Sequence, residues 1–164
     1  MTHQTQAFFT AADGVSHQYP LIDGNRIHCA IAGNGPPVLL IPGWPQTWFT
    51  WRHIMKSLAA AGYTAIAVDP PGTGDSGRPA QGYDTGAVAS VLHRLMGQLG
   101  HATYQVVGHD IGMWVAYAMA SDFPAAVRRL ALTEAVIPGL APAPPIFVPP
   151  EAVSYTHLTL PTKA

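Results

Sequence analysis

Between two apolar runs, the stretch Val106-Val107-Gly108-His109-Asp110-Ile111-Gly112 puts a carboxylate on a turn that leaves little room for one. Two β-branched residues lead in, as a strand prefers, and the mostly apolar segment 113–121 leads out with helical character. Such a small-x-D-x-small pattern suits a sharp strand-to-helix turn. Gly108 and Gly112 let the backbone reverse around a residue held in strained φ/ψ, whose side chain then stands clear of the sheet. An aspartate in that position needs no base to become a nucleophile, because a carboxylate with a reference pKa near ~3.9 is already ionised at neutral pH. Its chemistry favours attack on an electrophilic sp³ carbon, with an alkyl ester as product, over attack on an ester carbonyl. The same five letters also fit an ordinary βα turn, so the surrounding chain must decide.

Upstream, 38–41 (VLLI) and 65–68 (AIAV) are apolar runs of buried-strand length, each followed by a glycine- and proline-rich turn. Segments 17–22 and 26–32 flank Asp23-Gly24-Asn25, which predicts an antiparallel hairpin. The spacing of Trp48, Trp51, Met55 and Leu58 predicts a helix over 48–61 that stops at Gly62. A second helix is expected over 84–99, with Asp84 as N-cap and Gly100 as C′. Strands at 64–68, 103–107 and 127–133 and a helix at 111–121 complete the alternation. The expected class is therefore α/β, a mostly parallel sheet with helices on both faces. Residues 1–14 are expected to be a loose leader and 15–140 the core. Seven of the sixteen prolines fall between 138 and 161, so 141–164 is expected to be irregular. Within it, 153–164 resembles a translated adapter rather than native sequence; a natural short tail is the alternative.

Hydrophobic residues make up 48% of the 164 and charged ones only 10%, which suits a buried core and argues against disorder. A net charge of -1 gives no reason to expect nucleic acid or an anionic membrane as partner. Cys29 is the single cysteine, which excludes an internal disulfide and any cysteine-based metal site; a small core residue is the simplest reading. No run reaches the roughly 18 to 20 apolar residues that span a bilayer, and the first residues lack a signal-peptide pattern, so a cytoplasmic setting is the default. Gly72-Thr73-Gly74 could suggest a phosphate cradle, but G-x-x-x-x-G-K-[ST] is absent and the turn reads as structural. No cofactor or metal is expected.

The three strand-and-turn units, taken in order, resemble the α/β-hydrolase superfamily. They are closest to its epoxide hydrolase and dehalogenase branch, which uses an aspartate nucleophile. Gly108-His109-Asp110-Ile111-Gly112, the segment 42–48 (PGWPQTW) and the segment 133–138 (TEAVIP) are most similar to epoxide hydrolases. The resemblance covers roughly 15–145 and implies the N-terminal portion of the fold, with lid and C-terminal strands absent. It also implies a small-molecule substrate.

The resemblance further implies roles. Asp110 would be the nucleophile. The backbone N–H groups of Ile111 and Trp44 would form the oxyanion hole that receives charge when water attacks the ester. Trp44 sits at the x of an H-G-x-P motif, but Pro42 replaces the usual histidine, which leaves the bracing of this loop open. The Trp44 side chain could equally line a pocket wall. Glu134, 24 residues after Asp110 at a strand end, would be the charge-relay acid; the alternative is a solvent-facing polar residue. The base histidine of the family would lie beyond residue 164. His109, His93, His101 and His157 are expected to be satisfied or solvated rather than basic partners. Asp69 to Ser76 matches the family's structural loop that shapes the pocket floor. Among rival activities, haloalkane dehalogenases place tryptophan after the nucleophile and fluoroacetate dehalogenases arginine, whereas Ile111 offers neither donor. A serine esterase is excluded by the absence of serine at the elbow. A catalytically silent fragment is the remaining alternative.

Overall fold

A computed structural model describes residues 14–134; the expected tail, and the leader up to residue 13, lie outside the described residues. Eight strands and three helices follow in order: β1 Val15–Gln18, β2 Leu21–Ile22, β3 Asn25–Arg26, β4 Cys29–Ala32, β5 Pro37–Ile41, α1 Arg52–Ala60, β6 Thr64–Val68, α2 Thr85–Gln98, β7 Tyr104–His109, α3 Ile111–Asp122 and β8 Val127–Thr133. Six strands form one sheet in the order β1-β4-β6-β5-β7-β8. The last four of that order run parallel, while β4 is antiparallel to both β1 and β6.

Direction changes at β5. The chain steps from β5 to β6 on one side, then returns to β7 and β8 on the other. Right-handed crossovers in opposite directions must put their helices on opposite faces. That partition is visible in the packing. Leu39, Ile41, Ile66, Val68 and Val106 meet Leu92, Leu95 and Met96 of α2 and Ala116 and Met119 of α3. Their alternating neighbours Val38, Leu40, Ala65 and Ala67 meet Met55 of α1, with Trp48, Trp51 and Leu58 alongside. Burial of both faces explains why β5 and β6 read as unbroken apolar runs.

Two expectations need adjustment. The hairpin is antiparallel, but Tyr19-Pro20 splits it, so β1–β4 joins the main sheet and β2–β3 forms a separate ribbon. Pro20 has no N–H for a continuous ladder, and its carbonyl instead accepts from Ile27 N–H at 2.9 Å. The helix expected over 48–61 begins as a 3₁₀ turn, Trp48–Trp51, before α1. The second helix is capped as anticipated: Asp84 accepts from Ala87 N–H at 2.9 Å, and Gly100 follows in the left-handed region. Among the described residues no helix is long and apolar enough to cross a membrane.

Beneath the loops lies a buried polar knot that sequence reasoning did not identify. Asp69, at the end of β6, is almost fully buried. Its carboxylate accepts from Trp48 N–H at 2.7 Å, Asp75 N–H at 3.0 Å and His28 Nδ1–H at 2.7 Å. His28, fully buried, then presents Nε2 to His17 Nδ1 at 2.9 Å, and its ring stacks on that of His17 at 5.2 Å. A buried carboxylate without partners would cost several kcal/mol, so this set of donors is what makes the position tenable. It ties the loop after β5 to the loop after β6.

Burial and the neighbouring His28 hold the His17 pKa below its ordinary value, against the opposite pull of Asp75 and Asp69. Because the folded state binds this proton less readily than the unfolded chain, stability is present above the unfolded value of about 6.5 and declines as pH falls below it. Urea unfolding at pH 8 and pH 5.5 is expected to show a smaller drop in midpoint for His17→Gln than for the wild type. Equal drops would refute the contribution of His17.

Candidate active site

The turn between β7 and α3 adopts the strained geometry that its glycines suggest. Asp110 has φ 54° and ψ -127°, far from the allowed regions for an ordinary side chain. Its carbonyl accepts from Met113 N–H at 2.9 Å, and its own N–H donates to the Thr133 carbonyl at 3.1 Å, so both backbone groups are satisfied. Space is made by three glycines. A Cβ on Gly108 would lie 2.4 Å from the Gly112 carbonyl oxygen, and one on Gly112 would lie 2.5 Å from that of Pro42. A Cβ on Gly43 would lie 2.5 Å from Asp110 Cβ. The ends of β5 and β7 and the first turn of α3 thus meet backbone to backbone.

That proximity brings the predicted donors to Asp110. Trp44 N–H donates to Asp110 Oδ1 at 3.1 Å. The Ile111 N–H, at the start of α3, also bonds the carboxylate, and these two bonds, Ile111 first, hold the Asp110 carboxyl below its ordinary range despite some desolvation. His109 adds a smaller effect in the same direction. The side chain makes no capping bond to the N–H groups further along α3. It faces outward, in a setting where Trp44 is 69% and Ile111 40% exposed. The Trp44 side chain is thus largely exposed while its N–H is bonded to Asp110. A carboxylate held ionised by two fixed N–H donors can act as a nucleophile, and the same donors suit any negative charge that later develops on its oxygen.

Glu134, in the left-handed region at φ 63°, does not approach Asp110 by a hydrogen bond of its own. It meets His109, with Oε2 at 2.9 Å from Nε2. The opposite ring nitrogen, Nδ1, faces Gln46 Oε1 at 3.1 Å. Gln46 Oε1 also accepts from Gly43 N–H at 3.2 Å, which identifies the atom facing His109 as oxygen and places a proton on Nδ1. Both ring nitrogens of His109 are engaged by side chains of the protein, Nδ1 by Gln46 and Nε2 by Glu134. His109 is thus satisfied, as anticipated. His93 is stacked on Phe123 at 3.9 Å, with Nδ1 2.8 Å from the Tyr104 hydroxyl. Among the described residues no group of three His, Cys, Asp or Glu is placed to hold a metal.

Sequence reasoning missed Gln46, His28 and His17. The segment 42–48 contained the signal for Gln46, a polar residue inside a loop expected to carry a donor, but its partner became visible only once β5 and β7 were adjacent. His28 and Asp69 likewise meet only because β4 pairs with β6.

The profile of the alpha/beta hydrolase fold matches residues 36–158. The chain is 38% identical over 144 residues to a soluble epoxide hydrolase of Corynebacterium sp. (strain C12), a match covering 88% of this chain and 50% of the relative. Among solved structures, Cfl2 of Burkholderia cenocepacia is 41% identical with a TM-score of 0.78, covering 85% of this chain and 48% of that one. The epoxide hydrolase CorEH is 39% identical with a TM-score of 0.74, over 82% of this chain and 47% of that one. The chain thus spans about half the length of the relatives it matches. Strand order, elbow and sequence match agree, and the chain belongs to the alpha/beta hydrolase fold family.

Proposed function

We propose that this chain carries the nucleophile half of an epoxide hydrolase-like active site. The observation that carries the proposal is the Asp110 carboxylate, held in strained backbone with Oδ1 on the Trp44 N–H. Asp110 attacks an sp³ carbon of the epoxide through its second oxygen. The C–O bond opens, the ring oxygen stays on the neighbouring carbon as an alkoxide that takes a proton from water, and the aspartate becomes an alkyl ester. Oδ1 stays among the N–H donors as the ester carbonyl oxygen. Water attack then places negative charge on that atom, where Trp44 and Ile111 stabilise it; removing one such donor typically costs ~10² to 10³ in rate.

Ester hydrolysis also needs a base histidine oriented by an acid. Glu134 is the proposed acid. His109 is not the proposed base, since its nitrogens face Gln46 and Glu134. The reading is therefore of a partial enzyme whose base and lid belong to sequence outside this chain, supported by its spanning half of its relatives. Residues 153–164 are proposed to be foreign to the native protein on their sequence character alone, and 15–140 to be the partial core. A small-molecule substrate and a cytoplasmic setting complete the reading. The epoxide activity of the soluble epoxide hydrolase of Corynebacterium favours this class over dehalogenation, and Ile111 supplies neither an indole N–H for a leaving halide nor a guanidinium for a substrate carboxylate.

With excess styrene oxide, the purified chain is expected to gain a single adduct on the peptide containing Asp110, absent in Asp110→Asn, without sustained diol release. An adduct elsewhere would remove Asp110 from its role, and diol well above one equivalent per chain would remove the partial-enzyme reading. Alkylation by 1-chlorobutane or fluoroacetate is expected to be slower; rates matching styrene oxide would overturn the role given to Ile111.

The adduct-forming rate should also follow the ionisation of Asp110. The Ile111 and Trp44 donors lower its pKa, so the nucleophilic form persists as pH falls and is lost only below the ordinary aspartate value of about 3.9. Mass spectrometry of brief exposures between pH 4 and 8 should show a nearly constant rate once acid-catalysed solvent opening of the epoxide is subtracted. A rate that halves between pH 5 and 6 would contradict an aspartate held this way.

A further inference from the structure

We infer that Gln46 is a positioning residue, whose side-chain carbonyl holds the Trp44 N–H against Asp110. The loop after β5 begins with Pro42, which has neither an N–H nor a polar side chain with which to fix itself. Its position is instead fixed by Gln46. The Gln46 N–H donates to the Gly43 carbonyl at 2.9 Å, closing a tight turn around Trp44 and Pro45. The Gln46 Oε1 accepts from the Gly43 N–H at 3.2 Å and from His109 Nδ1–H at 3.1 Å. One carbonyl oxygen thereby couples the loop that presents Trp44 N–H to the residue immediately before Asp110.

The coupling continues through His109 Nε2 to Glu134 at the end of β8. The ends of three parallel strands are joined by the line Gly43, Gln46, His109, Glu134, which runs alongside the Trp44–Asp110 bond. Trp44 N–H is the next amide after Gly43, so a shift of the Gly43 peptide carries that donor with it. The backbone bond from Gln46 N–H to the Gly43 carbonyl closes the turn but does not tie it to β7, and the absent Cβ at Gly43 keeps Asp110 close without adding a bond of its own. The Gln46 side chain supplies the tie, from the Gly43 N–H to His109. Its relevance to catalysis rests on Asp110 being the attacking group, whereas its effect on geometry does not.

The test compares the wild-type chain with Gln46→Leu, which removes the acceptor, and Gln46→Glu, which keeps it. Amide hydrogen exchange is read at Trp44 against core amides of β5 such as Leu40, and the Asp110 carboxyl is titrated by ¹³C NMR in wild type and Gln46→Leu. In Gln46→Leu, Trp44 exchange relative to Leu40 should accelerate about fivefold to tenfold, the effect of losing one net hydrogen bond. The Asp110 carboxyl should titrate at higher pH as the Trp44 donor withdraws, and Gln46→Glu should keep wild-type exchange at Trp44. A general loss of stability would accelerate Leu40 as well, so the ratio separates positioning from folding. An unchanged ratio and titration in Gln46→Leu would overturn the inference, as would Gln46→Glu losing protection to the same extent. If Gln46→Leu does not fold, Gln46→Met replaces it, and the wild-type ring offers an independent reading: long-range ¹H–¹⁵N spectra should show His109 Nδ1 protonated, and a bare Nδ1 would overturn the assignment. These readouts do not require an adduct, so their failure and that of the nucleophile assignment remain distinct.

Discussion

Everything around Asp110 depends on how closely three pieces of backbone approach one another. The end of β5, the end of β7 and the first turn of α3 are separated by less than a methyl group at Gly43, Gly108 and Gly112. A side chain at any of them would push the elements apart, and the Trp44 N–H would leave hydrogen-bond range of Oδ1. The strain in Asp110, of order 1 to 3 kcal/mol for such a backbone conformation, is sustained because packing and hydrogen bonds on every side over-determine it. The two-sided core of aliphatic residues on β5, β6 and β7 supplies the rigidity against which that strain is held.

Most of the architecture was legible because its signals were local. Runs such as 38–41 and 64–68 are buried on both faces and could hardly be anything but central strands, and Asp84 and Gly100 mark the ends of α2. The sharp turn at the elbow could be read from its sequence, since only glycine fits at 108 and 112. Long-range polar contacts were less legible. Gln46 meets His109 across 63 positions and His28 meets Asp69 across 41, and no periodicity encodes either pair. The split hairpin was missed for a smaller reason: Pro20 interrupts a ladder that the Asp23-Gly24 turn otherwise favours.

The Asp69 knot and the Gln46 bridge brace the same loop at opposite ends. Asp69 holds its exit through Trp48 N–H, while Gln46 holds its entry through Gly43 N–H. Trp44 lies between the two anchors, which explains how a residue whose side chain is largely exposed can still present a fixed backbone donor. The loop that follows β6 is recruited to the same end, since Asp75 N–H and the Ser76 hydroxyl both bond Asp69.

A carboxylate has two oxygens where a hydroxyl has one, and the Trp44–Asp110 bond turns that difference into a consequence for what can react. A serine at such an elbow must borrow an oxygen from its substrate to fill the donor site, so only molecules that already own a carbonyl qualify. Asp110 fills the site from its own side chain before any substrate arrives. By the proposed route the reacting molecule then has to present only a strained or activated carbon, and can be wholly saturated. A free anion seeking the Trp44 N–H finds the position occupied by Oδ1. Changing Asp110, the proposed attacking residue, to serine would therefore vacate the donor site and demand a different kind of molecule to fill it.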